Sequence, residues 1–287
     1  MAKTLRQLRR QIRLVGKIHQ ITRAMQMVAA AKLRRVQQRA LEGRTYWQRM
    51  QEIVREVSAT APEIDHPLLT PREAKRIGLL VVAGDKGLCG GYNVQVGREA
   101  ERFLRGQQLP VAVRLTGRKA QSALERGGWA IEEQFTREDR TLPADARRIA
   151  QELRRWYESG DVDEVHVCYS QFVSLSRDHP AVVRLLPVAG TETEEDDDGP
   201  AASEYIFEPP AEELFARLLP RYVDAQVYQM LLEASASEHA ARMRAMAAAT
   251  DNASKMTDRL RMQANRLRQQ EITEELLDVV GGAEALR

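Results

Sequence analysis

One stretch of this 287-residue chain has the make-up of a chemical site: residues 84–93, read as GDKGLCGGYN. An apolar run, residues 76–83, leads into it, and a helical pattern through Leu104 comes after it. Glycines, Lys86 and Cys89 therefore sit where a strand turns into a helix, a place where backbone amides can cradle phosphate and a thiol can be activated. The spacing argues against both chemistries. It is neither GxxxxGK[ST] nor GxGxxG, and no serine or threonine follows Lys86 to hold magnesium. No histidine lies close in sequence, since His66 precedes the strand and His166 falls within a later one. The stronger reading is a tight turn whose glycines meet backbone demands, with Cys89 a buried small thiol. The other histidines are scattered, and no paired carboxylates stand out. Cys89 and Cys168 offer no disulfide framework and no metal-ligand spacing, which fits a reducing compartment. We expect no catalytic residue, no metal and no cofactor.

The elements around that turn alternate between strand and helix. Residues 76–83 form a continuous apolar run of the kind buried in a parallel sheet. Strands are expected at 110–115, 129–135, 164–172 and 181–188, and helices at 117–126 and 143–159. This is the pattern of a central Rossmann-like α/β domain with a largely parallel sheet. Its boundaries are set at 61–208, including an acidic loop at 191–200 in which six of residues 192–198 are Asp or Glu. No internal repeat is apparent.

Long helices flank this domain, 1–60 before it and 209–287 after it. Thr4 with Gln7 forms a possible capping box, and residues 4–57 read as helix up to Pro62. Its apolar positions are Leu5, Leu8, Ile12, Val15, Ile18, Ile21, Met25, Val28, Leu33, Val36, Ala40, Trp47, Met50, Val54 and Val57. They predict a coiled-coil seam whose phase slips near residues 16 and 30. At the other end, Pro209-Pro210 with Glu212 and Glu213 starts a helix, and Gly281-Gly282 is its expected stop. Helices from opposite ends of one chain most simply pair antiparallel. Placing the alanine runs 29–31 and 247–249 at one level brings residue 5 near residue 271. The residues beyond 271 then have no partner in the chain, yet they include Ile272, Leu276, Leu277, Val279, Val280 and Leu286. An apolar tip of this size is normally an interface, and a lone helix in water is marginal, so a surrounding sleeve is implied.

The net charge is only +2, but it is unevenly spread. Residues 1–39 hold eleven Lys or Arg and no acid, and residues 239–270 hold seven against Asp251 and Asp258. A solvated helix surface is the plain reading of such a run. Acidic protein loops rank next, above nucleic acid, because no aromatics interleave the charges and no binding module is recognisable. No hydrophobic run approaches the ~20 residues of a membrane span, and the basic N-terminus lacks the apolar core of a signal peptide.

Three separated motifs resemble the gamma subunit of rotary ATP synthases: ITRAMQMVAAAKL at 21–33, GLCGGYN at 87–93, and the C-terminal series SEHAARMRAM (237–246), ATDNA (249–253) and RQQEITEEL (268–276). They run in the family's order from end to end. Arg23 and Gln26 stand where the family usually has lysine, and Gly84-Asp85-Lys86-Gly87 replaces its common Ser-Asp-Arg-Gly. The resemblance implies a non-catalytic rotor shaft of a proton-translocating ATP synthase. Its coiled coil would stand inside three alpha and three beta subunits, with the globular domain towards the epsilon subunit and the membrane c-ring. By similarity Arg268, Gln269 and Thr273 would contact one beta catch loop and Glu238 and Arg242 another, with Met25 facing the beta lever. Ile272, Leu276, Leu277, Val279 and Val280 would form the apolar bearing tip, and Tyr205 would lie on the ring and epsilon side. No nucleic acid is implied. A bacterial source is implied, with the protein peripheral on the cytoplasmic face of the plasma membrane. Two other classes stand beside this one. An α/β nucleotide enzyme predicts ATP binding at Lys86, and a coiled-coil scaffold binding nucleic acid predicts strongly salt-dependent affinity. Neither explains the uncovered tail.

Overall fold

The computed structural model describes residues 4–60, 66–136, 142–188 and 210–284. Two compact units divide the chain, one of residues 31–241 and one that joins residues 1–30 to residues 242–287. Helix α1 (Leu5–Thr60) and helix α5 (Ala211–Glu284) each contribute to both. Between them lie β1 (Ile77–Val82), α2 (Tyr92–Gly106), β2 (Val111–Thr116), α3 (Gln121–Arg126), β3 (Ile131–Phe135), α4 (Leu142–Glu158), β4 (Glu164–Phe172) and β5 (Asp178–Leu186).

In the larger unit the five strands make one sheet in the order β3-β2-β1-β4-β5. β1 pairs parallel with both β2 and β4, and β2 parallel with β3. All six residues of β1 are buried, as a central parallel strand covered on both faces requires. β5 departs from the parallel rule. It runs antiparallel to β4, which it can reach through the short turn after Phe172 without a crossover helix. One face of the sheet carries Leu79, Val81, Val113 and Leu115 under Val96, Ala100 and Leu104 of α2 and Leu124 of α3. The opposite face carries Leu80, Val82, Ala112 and Val167 under Ile149 and Leu153 of α4, Phe215, Leu219 and Val223 of α5, and Met50 and Val54 of α1. Trp47 of α1 stacks on Tyr222 of α5, with ring centroids 5.5 Å apart and planes 14° from parallel. Leu33 and Val36 pack with Leu232, Ala236 and Ala240.

In the smaller unit α1 and α5 pair antiparallel through Leu5, Leu8, Ile12 and Val15 against Ala253, Leu260, Ala264 and Leu267. The Thr22 and Thr250 hydroxyl oxygens lie 2.8 Å apart and fix the register. That register sets alanines 247–249 level with residues 23–25 rather than with alanines 29–31, so the expected level is off by six residues, about one and two-thirds turns of helix.

The sequence-based seam also needs correction. Positions 5, 12, 19, 26, 33, 40, 47 and 54 and positions 8, 15, 22, 29, 36, 43, 50 and 57 form two unbroken heptad rows, every member with a described side chain buried or half-buried. The phase does not slip. Between residues 16 and 30 the seam is made by His19, Thr22, Gln26 and Ala29, while Ile18, Ile21 and Val28 point to solvent at 52%, 59% and 58% exposure.

The ends of the long helices reflect local chemistry. Thr4 Oγ1 accepts from the Gln7 amide at 3.4 Å, and Gln7 Oε1 accepts from the Thr4 amide at 3.0 Å, a complete capping box. α5 starts at Ala211 with Glu212 and Glu213 in its first turn and keeps Pro220 in its interior. The carbonyl of Ala216 loses its helical donor there, on a residue that faces water. The far end does not stop at Gly281-Gly282, because α5 continues to Glu284. Two glycines lower helix propensity by about 1 kcal/mol each, and that alone does not force a stop.

Candidate functional site

In a sheet of this order the sequence of strand addition reverses between the parallel neighbours β1 and β4, and open α/β sheets hold their ligands in the crevice beyond the strand ends at that point. Here α5 fills the crevice. The Ser237 hydroxyl, fully buried, donates to the Ser170 carbonyl at the end of β4 over 3.1 Å. The Tyr92 hydroxyl donates to the Ala234 carbonyl over 3.1 Å. Ala241 packs into the apolar cluster under α2, and the Glu238 carboxyl lies so close to Gly84 that a Cβ there would meet it at 3.0 Å. Tyr169 and Glu233 hydrogen-bond at the same strand ends, and the Phe172 amide donates to Glu233. Burial, then the Glu233 charge, pushes the Tyr169 hydroxyl up to about 12. Burial also raises Glu233, against the bonds from Gln229, Tyr169 and Phe172.

Ser170 lies beyond Cys168, the last residue of β4 in register with β1, and Ser237 gives its carbonyl a donor. Ser237→Ala leaves that buried carbonyl without a partner and is expected to lower stability by about 1–3 kcal/mol, measured as a shift of the urea midpoint at unchanged slope.

The glycine turn is built as a turn and not as a cradle. Asn93, in the first turn of α2, clamps it from three sides. Its Oδ1 accepts from the Gly84 amide at 2.8 Å, and its Nδ2 approaches the Lys86 carbonyl at 3.5 Å and Cys89 Sγ at 3.1 Å. Gly90 is left-handed at φ 58°, where glycine is at home, and so is the exposed Leu88 at φ 61°. Cys89 is buried, as expected, and so is Cys168, whose thiol burial pushes up to about 12. Among the described residues no group of three His, Cys, Asp or Glu is placed to hold a metal ion.

The proposed contact residues fall on outward surfaces of the two units. Met25 and Arg242 are half-buried in the smaller one, and Glu238 is half-buried against the glycine turn in the larger one. Arg268, Gln269 and Thr273 are exposed, with the Thr273 hydroxyl donating to the Gln269 carbonyl at 2.8 Å. Beyond Glu271 every described side chain is exposed, Ile272 at 48%, Leu276 at 60%, Leu277 at 65% and Val279 at 70%. The Val280 side chain and Tyr205 lie outside the described residues, as does the acidic tract. An open cleft beside α1 is lined by Arg6, Arg9 and Arg13 with Glu271 across it, keeping that end of the pair basic. Sequence reading missed Asn93, Ser237 and Tyr92. All three are polar residues within recognisable motifs; Tyr92 and Ser237 find backbone partners far away in the chain, and Asn93 bonds within its own turn.

The match to known proteins covers the whole length. A protein-family model described as ATP synthase matches residues 4–286. The ATP synthase gamma chain of Desulfitobacterium hafniense is 41% identical over 282 residues, 98% of each chain. The chain belongs to the ATP synthase gamma chain family. That of Pelotomaculum thermopropionicum is likewise 41% identical, over 99% of each chain. A solved structure, the central stalk and c-ring of the Tetrahymena thermophila mitochondrial ATP synthase, contains a chain that superposes with TM-score 0.59 at 25% identity, over 80% of this chain and 99% of that one. For a gamma-family chain the occupied crevice has a plain meaning: the α/β domain uses its ligand position to hold a helix.

Proposed function

We propose that this chain is the central rotor shaft of a proton-translocating bacterial ATP synthase, coupling rotation of the membrane ring to sequential change at three catalytic sites on the beta subunits. The observation that carries this reading is the run from Ile272 to Val279, an apolar helix end left uncovered by the described residues of its own chain. Membership of the gamma chain family supports it. In this reading the tip turns in a nonpolar sleeve formed by the alpha and beta subunits. Arg268, Gln269 and Thr273 meet one beta catch loop, Glu238 and Arg242 another, and Met25 faces the beta lever. The epsilon subunit and the c-ring adjoin the α/β domain, with Tyr205 on that side.

The chain makes no bond-breaking contribution of its own, and nucleotide chemistry belongs to the partners. Its contribution is shape. An asymmetric shaft presents a different surface to each of three equivalent sites, and only such differential contact can shift their affinities in turn. The exposed stripe Leu14, Ile18, Ile21 and Val28 on α1 and the basic residues beyond Arg242 on α5 are two such unlike surfaces. No described helix is long and apolar enough to cross a membrane. We place the protein as a peripheral subunit on the cytoplasmic face of the plasma membrane.

A tagged copy should co-purify from detergent-extracted membranes with a multi-subunit ATPase. Deleting residues 272–287 should lower ATP-driven proton pumping several-fold while hydrolysis persists, because the bearing is lost but the catalytic subunits are not. Recovery of the chain alone, or with nucleic acid and no ATPase, would overturn the reading.

A further inference from the structure

We propose that residues 16–29 of α1, with residues 246–256 of α5, form the soft section of the helix pair in the smaller unit, the place where the two helices part first under twist. The inference goes beyond the rotor reading and does not depend on any partner. The seam there is lined by His19, Thr22, Gln26 and Ala29 against Met246 and Thr250, with Ala253 at its edge packed into the aliphatic cluster beyond. The neighbouring stretch is lined by Leu5, Leu8, Ile12 and Val15 against Leu260, Ala264 and Leu267. Parting the second exposes large aliphatic side chains. Parting the first exposes mainly small or polar ones, and seam stability scales with the apolar area that parting returns to water.

The hydrogen bonds point the same way. Thr250 lies 2.8 Å from Thr22 across the seam, but its Oγ1 is also 2.8 Å from the Met246 carbonyl of its own helix. Thr22 likewise donates to the His19 carbonyl of its own helix at 3.1 Å. Each hydroxyl hydrogen therefore keeps an acceptor when the cross-helix bond is given up, so opening strands no donor. Meanwhile Ile18, Ile21, Met27 and Val28 are more than half exposed and add little to the seam, leaving Met246 and the half-buried Met25 as its larger apolar side chains. The stretch is patterned inside out.

The test is hydrogen–deuterium exchange of the full-length chain read by mass spectrometry. Peptides covering 16–29 and 245–256 should exchange at least about tenfold faster than those covering 257–267, the signature of a local opening below global unfolding. Thr22→Val combined with Thr250→Val and Gln26→Leu makes the seam apolar and should slow exchange of the same peptides by at least about fivefold. If the triple variant does not fold, judged by circular dichroism, Gln26→Leu alone should slow the 16–29 peptides in the same direction. Equal exchange in the two stretches, or exchange unchanged by substitution in a folded variant, overturns the proposal.

Discussion

Gly117→Ala should be the most damaging single-methyl change in the α/β domain, lowering stability by about 4 kcal/mol or more and abolishing soluble expression if the chain is only marginally stable. Gly117 comes directly after β2 at φ 88°, a conformation that costs an alanine of order 1–2 kcal/mol by itself. The added Cβ would also stand 2.0 Å from the Ala83 carbonyl oxygen and 2.5 Å from its carbon. Neither neighbour is a side chain that can swing away. The Ala83 amide donates to the Thr116 carbonyl at 2.8 Å, and the Lys119 amide donates to the Gly84 carbonyl at 3.0 Å. Both strand ends are thus stitched together at the point of overlap. Relief requires separating β1 from β2 there, which would disturb the glycine turn and the Glu238 contact with it. The readouts are soluble yield and the urea midpoint. A shift of less than about 1 kcal/mol would show that this backbone is more yielding than its hydrogen bonds imply.

Gly78→Ala is the second large effect, and its cause is a side chain. A Cβ at Gly78 would meet three atoms of the six-membered ring of Trp156, the nearest at 2.7 Å. Trp156 is buried and carries the Arg114 guanidinium 4.0 Å from its ring centre, and Arg114 in turn pairs with Glu133 at 3.0 Å. Moving the indole therefore disturbs a cation–π contact and an ion pair. Overpacking of this sort costs about 1–3 kcal/mol, and the linked pair places this case at the upper end. Trp156→Phe removes the ring that collides. In a double-mutant cycle Gly78→Ala with Trp156→Phe should be less destabilised than the sum of the singles by about 1 kcal/mol or more. Additive singles would mean that the indole moves aside freely.

Both predictions concern contacts that sequence reading cannot reach, and the contrast with what it did reach is physical. β1 was legible because six consecutive apolar residues admit few other readings. The capping box at Thr4 and Gln7, the start of α5, the fold class and the uncovered tip were legible for the same reason: each is a local pattern. The seam of α1 was misread between residues 16 and 30, where the apolar residues belong to the outer surface and the seam is made by His19, Thr22 and Gln26. A rule that assigns apolar residues to the nearest buried face fails where a helix carries its larger apolar residues on its exposed face. The stop at Gly281 was misplaced because glycine weakens a helix without ending it. The hydrogen bonds that Tyr92 and Ser237 make to Ala234 and Ser170 depend on pairing across the fold, which no local pattern records. Of the candidate site residues, the exposed tip was the clearest in sequence, and the engagement of Glu238 with Gly84 was the least so.

The seating of α5 across the ends of β1 and β4 also limits how this chain can change. A ligand pocket at those strand ends would require evicting Ala234, Ser237 and Ala241, and with them the hydrogen bonds from Tyr92 and to Ser170. The domain cannot recruit a small molecule there without loosening its grip on its own axle. A substitution here that leaves the socket underfilled would loosen the fit of α5 against the strand ends before it offered room to a ligand.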